Sequence, residues 1–269
     1  MATADAPSLQ AHLLEGRTSG RTVLAPFLTV GDPDADFTVD ALERIDRAGA
    51  GLCELGIPYS DPIADGPVIQ SSYTRALAAG TTVETVFDVA RRARERIAMP
   101  LVAMTSYSII FRRGLRPFVE ATKASGLSGL VVPDLPLEES EPLDAACRAA
   151  AIALVRLVTP TTPRDRAERI ARMSTGFLYC VSVAGVTGER TALPDSLAER
   201  VRWLKSVTDV PVLVGFGLSA PEQVRAVASV ADGAIVGSAV VRHLERAGTT
   251  PRGQVLDGIE SFVRELATA

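Results

Sequence analysis

Eight short runs rich in β-branched and apolar residues recur along the chain, at residues 23–29, 51–55, 101–105, 129–132, 153–158, 176–182, 211–215 and 233–236. Each is followed by a stretch with helical periodicity, and this alternation constrains the fold more than any single motif does. Strands separated by helices pair in parallel through crossover connections. Helices are predicted over 34–48, 115–125, 220–229 and 239–247, with others at 8–15, 68–79, 83–97 and 253–266. Turn-forming residues crowd the strand-to-helix junctions, as in Thr29-Val30-Gly31-Asp32-Pro33 and Gly217-Leu218-Ser219-Ala220-Pro221, where Ser219 is predicted to cap a helix. No Pro- or Ser-rich linker divides the chain, so residues 1–269 read as a single domain. Eight strand–helix units in this length point to the α/β class and a closed (β/α)8 TIM barrel, with extra N-terminal, inter-strand and C-terminal helices. The competing architecture, an open doubly wound sheet, would carry GxGxxG after its first strand, and Gly31-Asp32-Pro33-Asp34 does not match it.

Composition narrows the function classes. Hydrophobic residues make up 47% of the chain but fall in short runs, far from the roughly 18 consecutive apolar residues of a membrane span. The N-terminal segment 1–14 lacks the basic and apolar blocks of an export signal, so a cytoplasmic location is expected. Three widely spaced cysteines, Cys53, Cys147 and Cys180, form neither a disulfide framework nor a zinc ribbon, and read as small core residues. A net charge of −4 provides no general attraction for nucleic acid.

The second strand and the loop after it concentrate the chemistry. In Gly51-Leu52-Cys53-Glu54-Leu55-Gly56, period-two alternation sets Leu52, Glu54 and Gly56 on one face and Cys53 and Leu55 on the other. If Leu55 packs outward against helices, Glu54 projects into the barrel near its C-terminal end, where barrel enzymes assemble their sites. Burial there raises a carboxyl pKa and fits it for proton transfer near neutrality, although the same position could hold a structural ion pair. The loop Tyr59-Ser60-Asp61-Pro62-Ile63-Ala64-Asp65-Gly66-Pro67 then places two aspartates over the mouth. Asp65 is the preferred second acid–base group and Asp61 the loop organiser, but spacing alone permits either, or turn chemistry only.

Absent residue types narrow the mechanism. The only lysines, Lys123 and Lys205, and the only histidines, His12 and His243, fall on helical stretches away from Glu54. A Schiff-base amine inside the barrel and a histidine-held zinc are therefore disfavoured, which leaves carboxylate acid–base chemistry. A magnesium site from Asp61, Asp65 and Asp134 remains an open alternative. Glycine-rich turns end the seventh and eighth strands, Gly215-Phe216-Gly217 and Gly237-Ser238-Ala239, where barrels hold phosphate on backbone N–H groups and a helix N-terminus. Ala184-Gly185-Val186-Thr187-Gly188-Glu189-Arg190 reads as a flap whose Gly188 N–H completes that cradle.

The strings Pro26-Phe27-Leu28-Thr29-Val30-Gly31-Asp32-Pro33, Glu54 through Pro67, and Gly185-Val186-Thr187-Gly188 together closely resemble the tryptophan synthase α family, and the likeness spans nearly the whole chain. Val132-Pro133-Asp134-Leu135-Pro136, Gly215-Phe216-Gly217 and Gly237-Ser238-Ala239 follow in the family's order. The resemblance implies retro-aldol cleavage of indole-3-glycerol phosphate to indole and glyceraldehyde 3-phosphate, with Glu54 handling protons at indole C3 and the glycerol hydroxyl and Asp65 at the indole nitrogen. It implies Phe27 and Leu130 as walls for the indole and Tyr179 near Glu54. Thr187 corresponds to the flap threonine, and Gly188, Gly217, Gly237 and Ser238 to the phosphate-binding positions. It requires no metal or cofactor in this chain, and implies a β subunit partner in an α2β2 heterotetramer, whose pyridoxal phosphate would not bind here. The chain departs from many relatives at Ser106 and Ser108 around Tyr107, and at Val183 and Ala184 in the flap. A free-standing lyase and a catalytically idle barrel that activates a β partner are the alternative readings.

Overall fold

The computed structural model describes residues 8–18, 22–63, 65–182, 194–215 and 217–269. Strands β1 (Val23–Thr29), β2 (Cys53–Gly56), β3 (Leu101–Met104), β4 (Gly129–Val131), β5 (Ala153–Val158), β6 (Leu178–Val181), β7 (Val212–Gly215) and β8 (Gly233–Val236) close into one barrel in chain order. Every pairing is parallel, and β8 returns to β1 through Val23 opposite Gly233. Helix α1 (Leu9–Thr18) precedes β1, α2 (Ala35–Arg47) follows it, and α3 (Pro67–Ala78) and α4 (Val83–Arg94) lie between β2 and β3. Then come α5 (Tyr107–Arg113), α6 (Leu115–Ala124), α7 (Glu141–Ala150), α8 (Arg164–Met173), α9 (Asp195–Val207), α10 (Pro221–Ala228), α11 (Ser238–Leu244) and α12 (Arg252–Ala267). No helix among the described residues is long and apolar enough to cross a membrane.

Two apolar cores follow from strand alternation. Val23, Ala25, Val102, Val131, Val155, Leu213 and Ile235 point inward and fill the barrel, and Leu9 and Leu13 of α1 pack on the same cluster. Their chain neighbours, among them Leu24, Leu55, Ala103, Leu130, Leu154, Val212 and Ala234, point outward and pack in the larger core beneath the helices. Each large aliphatic side chain buried in this way contributes about 1.5–3 kcal/mol, so both faces of every strand favour closure. The helices are amphipathic to match: α2 buries Phe37, Val39, Leu42 and Ile45, and begins where Asp34 accepts a 2.6 Å hydrogen bond from the Phe37 N–H.

The strand limits differ from the sequence-based ones chiefly at β2 and β6. The second strand runs over 53–56, later than 51–55, so Glu54 lies within it. The sixth shortens because Gly176 takes φ +77° and the Phe177 N–H donates to the Thr175 carbonyl, a turn that no strand accommodates. The cap predicted at Ser219 also moves. Ala220 occupies the N-cap of α10, and the Gln223 side chain accepts from the Ser219 and Ala220 N–H groups at 2.8 and 3.1 Å.

Gly233 shows how tightly the barrel closes. A Cβ there would stand 2.6 Å from the Val23 carbonyl oxygen and 2.8 Å from Leu213 Cγ, on the two flanking strands. Gly233→Ala is expected to lower stability in urea denaturation by about 1–3 kcal/mol through overpacking. Gly248→Ala, where the new methyl meets nothing within 4 Å, should stay within about 0.5 kcal/mol of the parent. Equal midpoints for the two variants would refute this account of closure.

Candidate active site

Glu54 pairs in register with Phe27 of β1 and Val102 of β3, and its side chain faces the interior at the C-terminal half of the barrel. It is 1% exposed, and neither carboxylate oxygen has a hydrogen-bond partner among the described residues. Burial pushes its pKa to about 8. No ion pair reaches it among the described residues, so the structural ion-pair reading is set aside. A carboxyl group in this setting is largely protonated at neutral pH and is both donor and acceptor within one pH unit of it.

Asp65 is half-buried in the loop above, and burial raises its pKa to about 6. Its backbone is held by α3: the Gln70 side chain donates to the Asp65 carbonyl at 2.7 Å and to the Pro62 carbonyl at 3.2 Å. Asp61 is exposed and accepts a hydrogen bond from the adjacent Ser60 hydroxyl, in keeping with a role in organising the loop. Asp134 is engaged elsewhere, accepting from Ser106 Oγ at 2.6 Å and from the Tyr107 N–H at 2.8 Å, which ties the loops after β3 and β4 together. Asp61, Asp65 and Asp134 thus do not converge, and no group of three His, Cys, Asp or Glu suited to a metal occurs among the described residues.

Aromatic rings surround the carboxylates. Tyr179 faces the interior cluster from β6, and its pKa is driven well above the usual tyrosine range by burial, with Glu54 and then Asp65 adding to it. Tyr73 of α3 is affected in the same way, by burial first and then by Asp65, Tyr59 and Glu54. Both hydroxyls therefore lie in the field of both acids. Glycine makes room for the rings: a Cβ on Gly215 would meet the Tyr179 ring at 2.8 Å, and one on Gly56 would meet Phe27 Cζ at 2.4 Å and the Tyr73 hydroxyl at 2.8 Å. The sequence reading missed Tyr73, although its spacing from Ile69 and Ala76 marks one face of a helix.

Phe27 is buried at the mouth beside Gly56 and Gly237. Leu130 is not at the mouth. It packs outward under the helices, and the interior residue of β4 is its neighbour Val131, because a shift of one position exchanges the faces of a strand. Gly217 takes φ +62° with open space where a Cβ would lie, and Gly237 is the N-cap of α11, whose first turn has no side-chain cap. Ser238 follows as the first residue of that helix. Thr187 and Gly188, with Val183, Ala184 and Phe216, lie outside the described residues. His12 approaches the Gly51 carbonyl from α1, His243 packs against Phe262, and Lys205 pairs with Asp232, so all three are occupied away from Glu54.

Fold and site together define a (β/α)8 barrel with two unequal carboxyl groups at its C-terminal mouth. The profile of the family described as tryptophan synthase alpha chain matches residues 14–269. The tryptophan synthase alpha chain of Rhodopirellula baltica is 49% identical over 252 residues, covering 93% of this chain and 91% of its own, and that of a Synechocystis species is 48% identical over 254 residues, covering 94% and 95%. The solved tryptophan synthase A-subunit of Pyrococcus furiosus superposes with a TM-score of 0.84 at 38% identity, covering 93% of this chain and 99% of its own. The chain belongs to the tryptophan synthase alpha chain family.

The raised pKa of Glu54 has a consequence for stability. The native state binds the Glu54 proton up to about pH 8 while the unfolded chain releases it near 4.5, so this group's contribution is fully present below 4.5 and is lost as pH rises through 8. Asp65 acts in the same sense between 3.8 and about 6. Glu54→Gln, neutral at all pH, should therefore gain stability over the parent progressively from pH 5 to pH 9, by on the order of 1–4 kcal/mol. Paired thermal melts across that range would show it, and a gap that stays flat or narrows with pH would contradict it.

Proposed function

We propose that this chain is the α subunit of a tryptophan synthase, a carbon–carbon lyase that cleaves indole-3-glycerol phosphate to indole and glyceraldehyde 3-phosphate. The observation that carries the reading is the pair of carboxyl groups with separated pKa values, about 8 for buried Glu54 and about 6 for half-buried Asp65. Near pH 7 the first is mostly protonated and the second mostly ionised, which is the division of labour an acid–base pair needs. Glu54 gives its proton to indole C3, and the ionised Asp65 stabilises the positive charge that develops at the ring N–H. The bond from C3 to the glycerol chain then breaks, its electron pair returning to the indole ring. The glycerol hydroxyl proton passes to the Glu54 carboxylate as the carbonyl forms, so Glu54 ends as it began.

Phe27 and Tyr179 wall the indole in this reading, with Val131 in the position first given to Leu130. Gly217, Gly237 and Ser238 hold the phosphate on backbone N–H groups, with Gly188 contributing from the flap, whose Thr187 contacts the loop aspartate. A solved Pyrococcus furiosus structure is a tryptophan synthase a2b2 complex, with a TM-score of 0.85 at 38% identity, which supports a β partner for this chain. Ile63 and Phe111, 93% and 69% exposed, provide apolar contacts for that partner. A cytoplasmic setting is part of the proposal and is supported by three buried, unpaired cysteines.

The test is indole release from indole-3-glycerol phosphate, with and without a β subunit. Glu54→Gln and Asp65→Asn should each lower kcat/KM by about 10²–10⁴-fold while leaving the circular dichroism spectrum native. Full activity in both variants would overturn the mechanism. For the parent chain kcat/KM should be bell-shaped in pH, falling below about 6 as Asp65 is protonated and above about 8 as Glu54 ionises. A profile flat from pH 5 to pH 9 would contradict the assignment.

A further inference from the structure

Tyr73 carries a hydroxyl that the fold does not use. The residue is 1% exposed, its ring centroid lies 5.5 Å from that of Tyr59 and 6.5 Å from that of Phe27, and its oxygen has no hydrogen-bond partner among the described residues. A phenylalanine would make the same ring contacts without leaving a polar group stranded in the interior. The hydroxyl is directed at the active site, since it stands 2.8 Å from the Cβ position of Gly56, on the Glu54 face of β2. Its aim is fixed by the residues on either side of it in α3. Ser72 Oγ donates to buried Asp32 at 2.5 Å, and Arg75 donates to both oxygens of the same carboxylate at 3.0 and 2.6 Å. The same helix holds the Asp65 backbone through Gln70.

Asp65 supplies the missing acceptor. No donor reaches its carboxylate among the described residues, and its charge acts on Tyr73 more strongly than that of Glu54 does. We infer that Tyr73 is a positioning residue of this site, donating a hydrogen bond from its hydroxyl to the Asp65 carboxylate in the substrate-bound state and so aiming that carboxylate at the ring N–H. The inference rests on the proposed reaction. Among the described residues, the ionisable groups that feel the Asp65 charge are Tyr59 of its own loop, Tyr73 of α3 and Tyr179 of β6, with Glu54 of β2 acting on the latter two and Asp134 acting on Tyr59 from the loop after β4. None is a cation, so a hydrogen bond is the means at hand for favouring ionised Asp65.

Tyr73→Phe removes the hydroxyl and keeps the ring. The variant should melt at or above the parent's temperature, lower kcat about 10- to 100-fold with little change in KM, and move the acidic limb of the pH profile upward. A second readout does not depend on turnover. In complex with a non-cleavable indolyl-alkyl phosphate, the Asp65 carboxyl carbon, assigned in NMR spectra with Asp65→Asn, should titrate about one pH unit higher in Tyr73→Phe than in the parent. Unchanged kcat and an unchanged Asp65 titration would overturn the inference, and so would a slower variant whose Asp65 titrates as in the parent. A parent chain that binds the analogue but releases no indole would refute the proposed reaction instead, and the titration would still decide the role of Tyr73.

Discussion

The buried carboxyl of Glu54 is the constraint to which the rest of the barrel answers. Taking an ionised carboxylate out of water without a partner is among the costliest things a fold can do, and the group responds by holding its proton. A cation placed nearby would have relieved that cost. It would also have fixed Glu54 as a carboxylate and removed the acid the proposed reaction requires. The deficit is instead absorbed by the two apolar cores on either side of the strands, which do not depend on the protonation of Glu54. On the proposed reaction, stability and reactivity are thus set by the same lack of a partner among the described residues.

Unequal acids also need unequal surroundings, and these follow from where each sits in the topology. Glu54 is carried by a strand interior, where both backbone ladders fix it between Phe27 and Val102. Asp65 is carried by a loop, half in water, with its backbone fastened to α3. The buried Asp32 with Ser72 and Arg75 then fastens α3 to the loop after β1. A chain of contacts therefore runs from the loop after β1 through α3 to the backbone of Asp65. It keeps the softer of the two acids in a defined place without burying it as deeply as the other.

How much of this was legible in the sequence depended on whether a signal was local. Alternation within β2 was enough to aim Glu54 inward, because that rule needs only neighbouring residues, and β1, β5 and β8 began and ended as their apolar runs did. In β4 the family resemblance points to Leu130, whereas alternation from Gly129 points to Val131, and one position is the difference between the barrel interior and the helix layer. Tyr73 lay beyond local rules altogether. Its helix was legible, but that its ring would lean over Gly56 is a consequence of β2 and α3 packing, and of a glycine that leaves the space. Ser219 failed for a smaller reason, since Gln223 reaches back to the same N–H groups and makes a hydroxyl cap unnecessary.

On the proposed reaction, the mouth has an electrostatic problem that the raised pKa of Glu54 eases. The substrate is an anion, the chain is itself acidic with a net charge of −4, and Glu54, Asp61, Asp65 and Asp134 all lie on or near the loops it must pass. No lysine is placed to offset them, because Lys123 and Lys205 lie on the outer helices α6 and α9. Were Glu54 ionised, it would repel the phosphate across a space of low dielectric, where Coulomb forces are least screened. Held neutral, it does not. The half-buried Asp65 and the exposed Asp61 are on the β2–α3 side, while the N-terminus of α11, without a side-chain cap, presents backbone N–H groups on the β7–β8 side, beside the open space at Gly217. A substrate lying across the mouth, with its ring N–H towards the first and its phosphate towards the second, is polarised in the direction in which its bond must break.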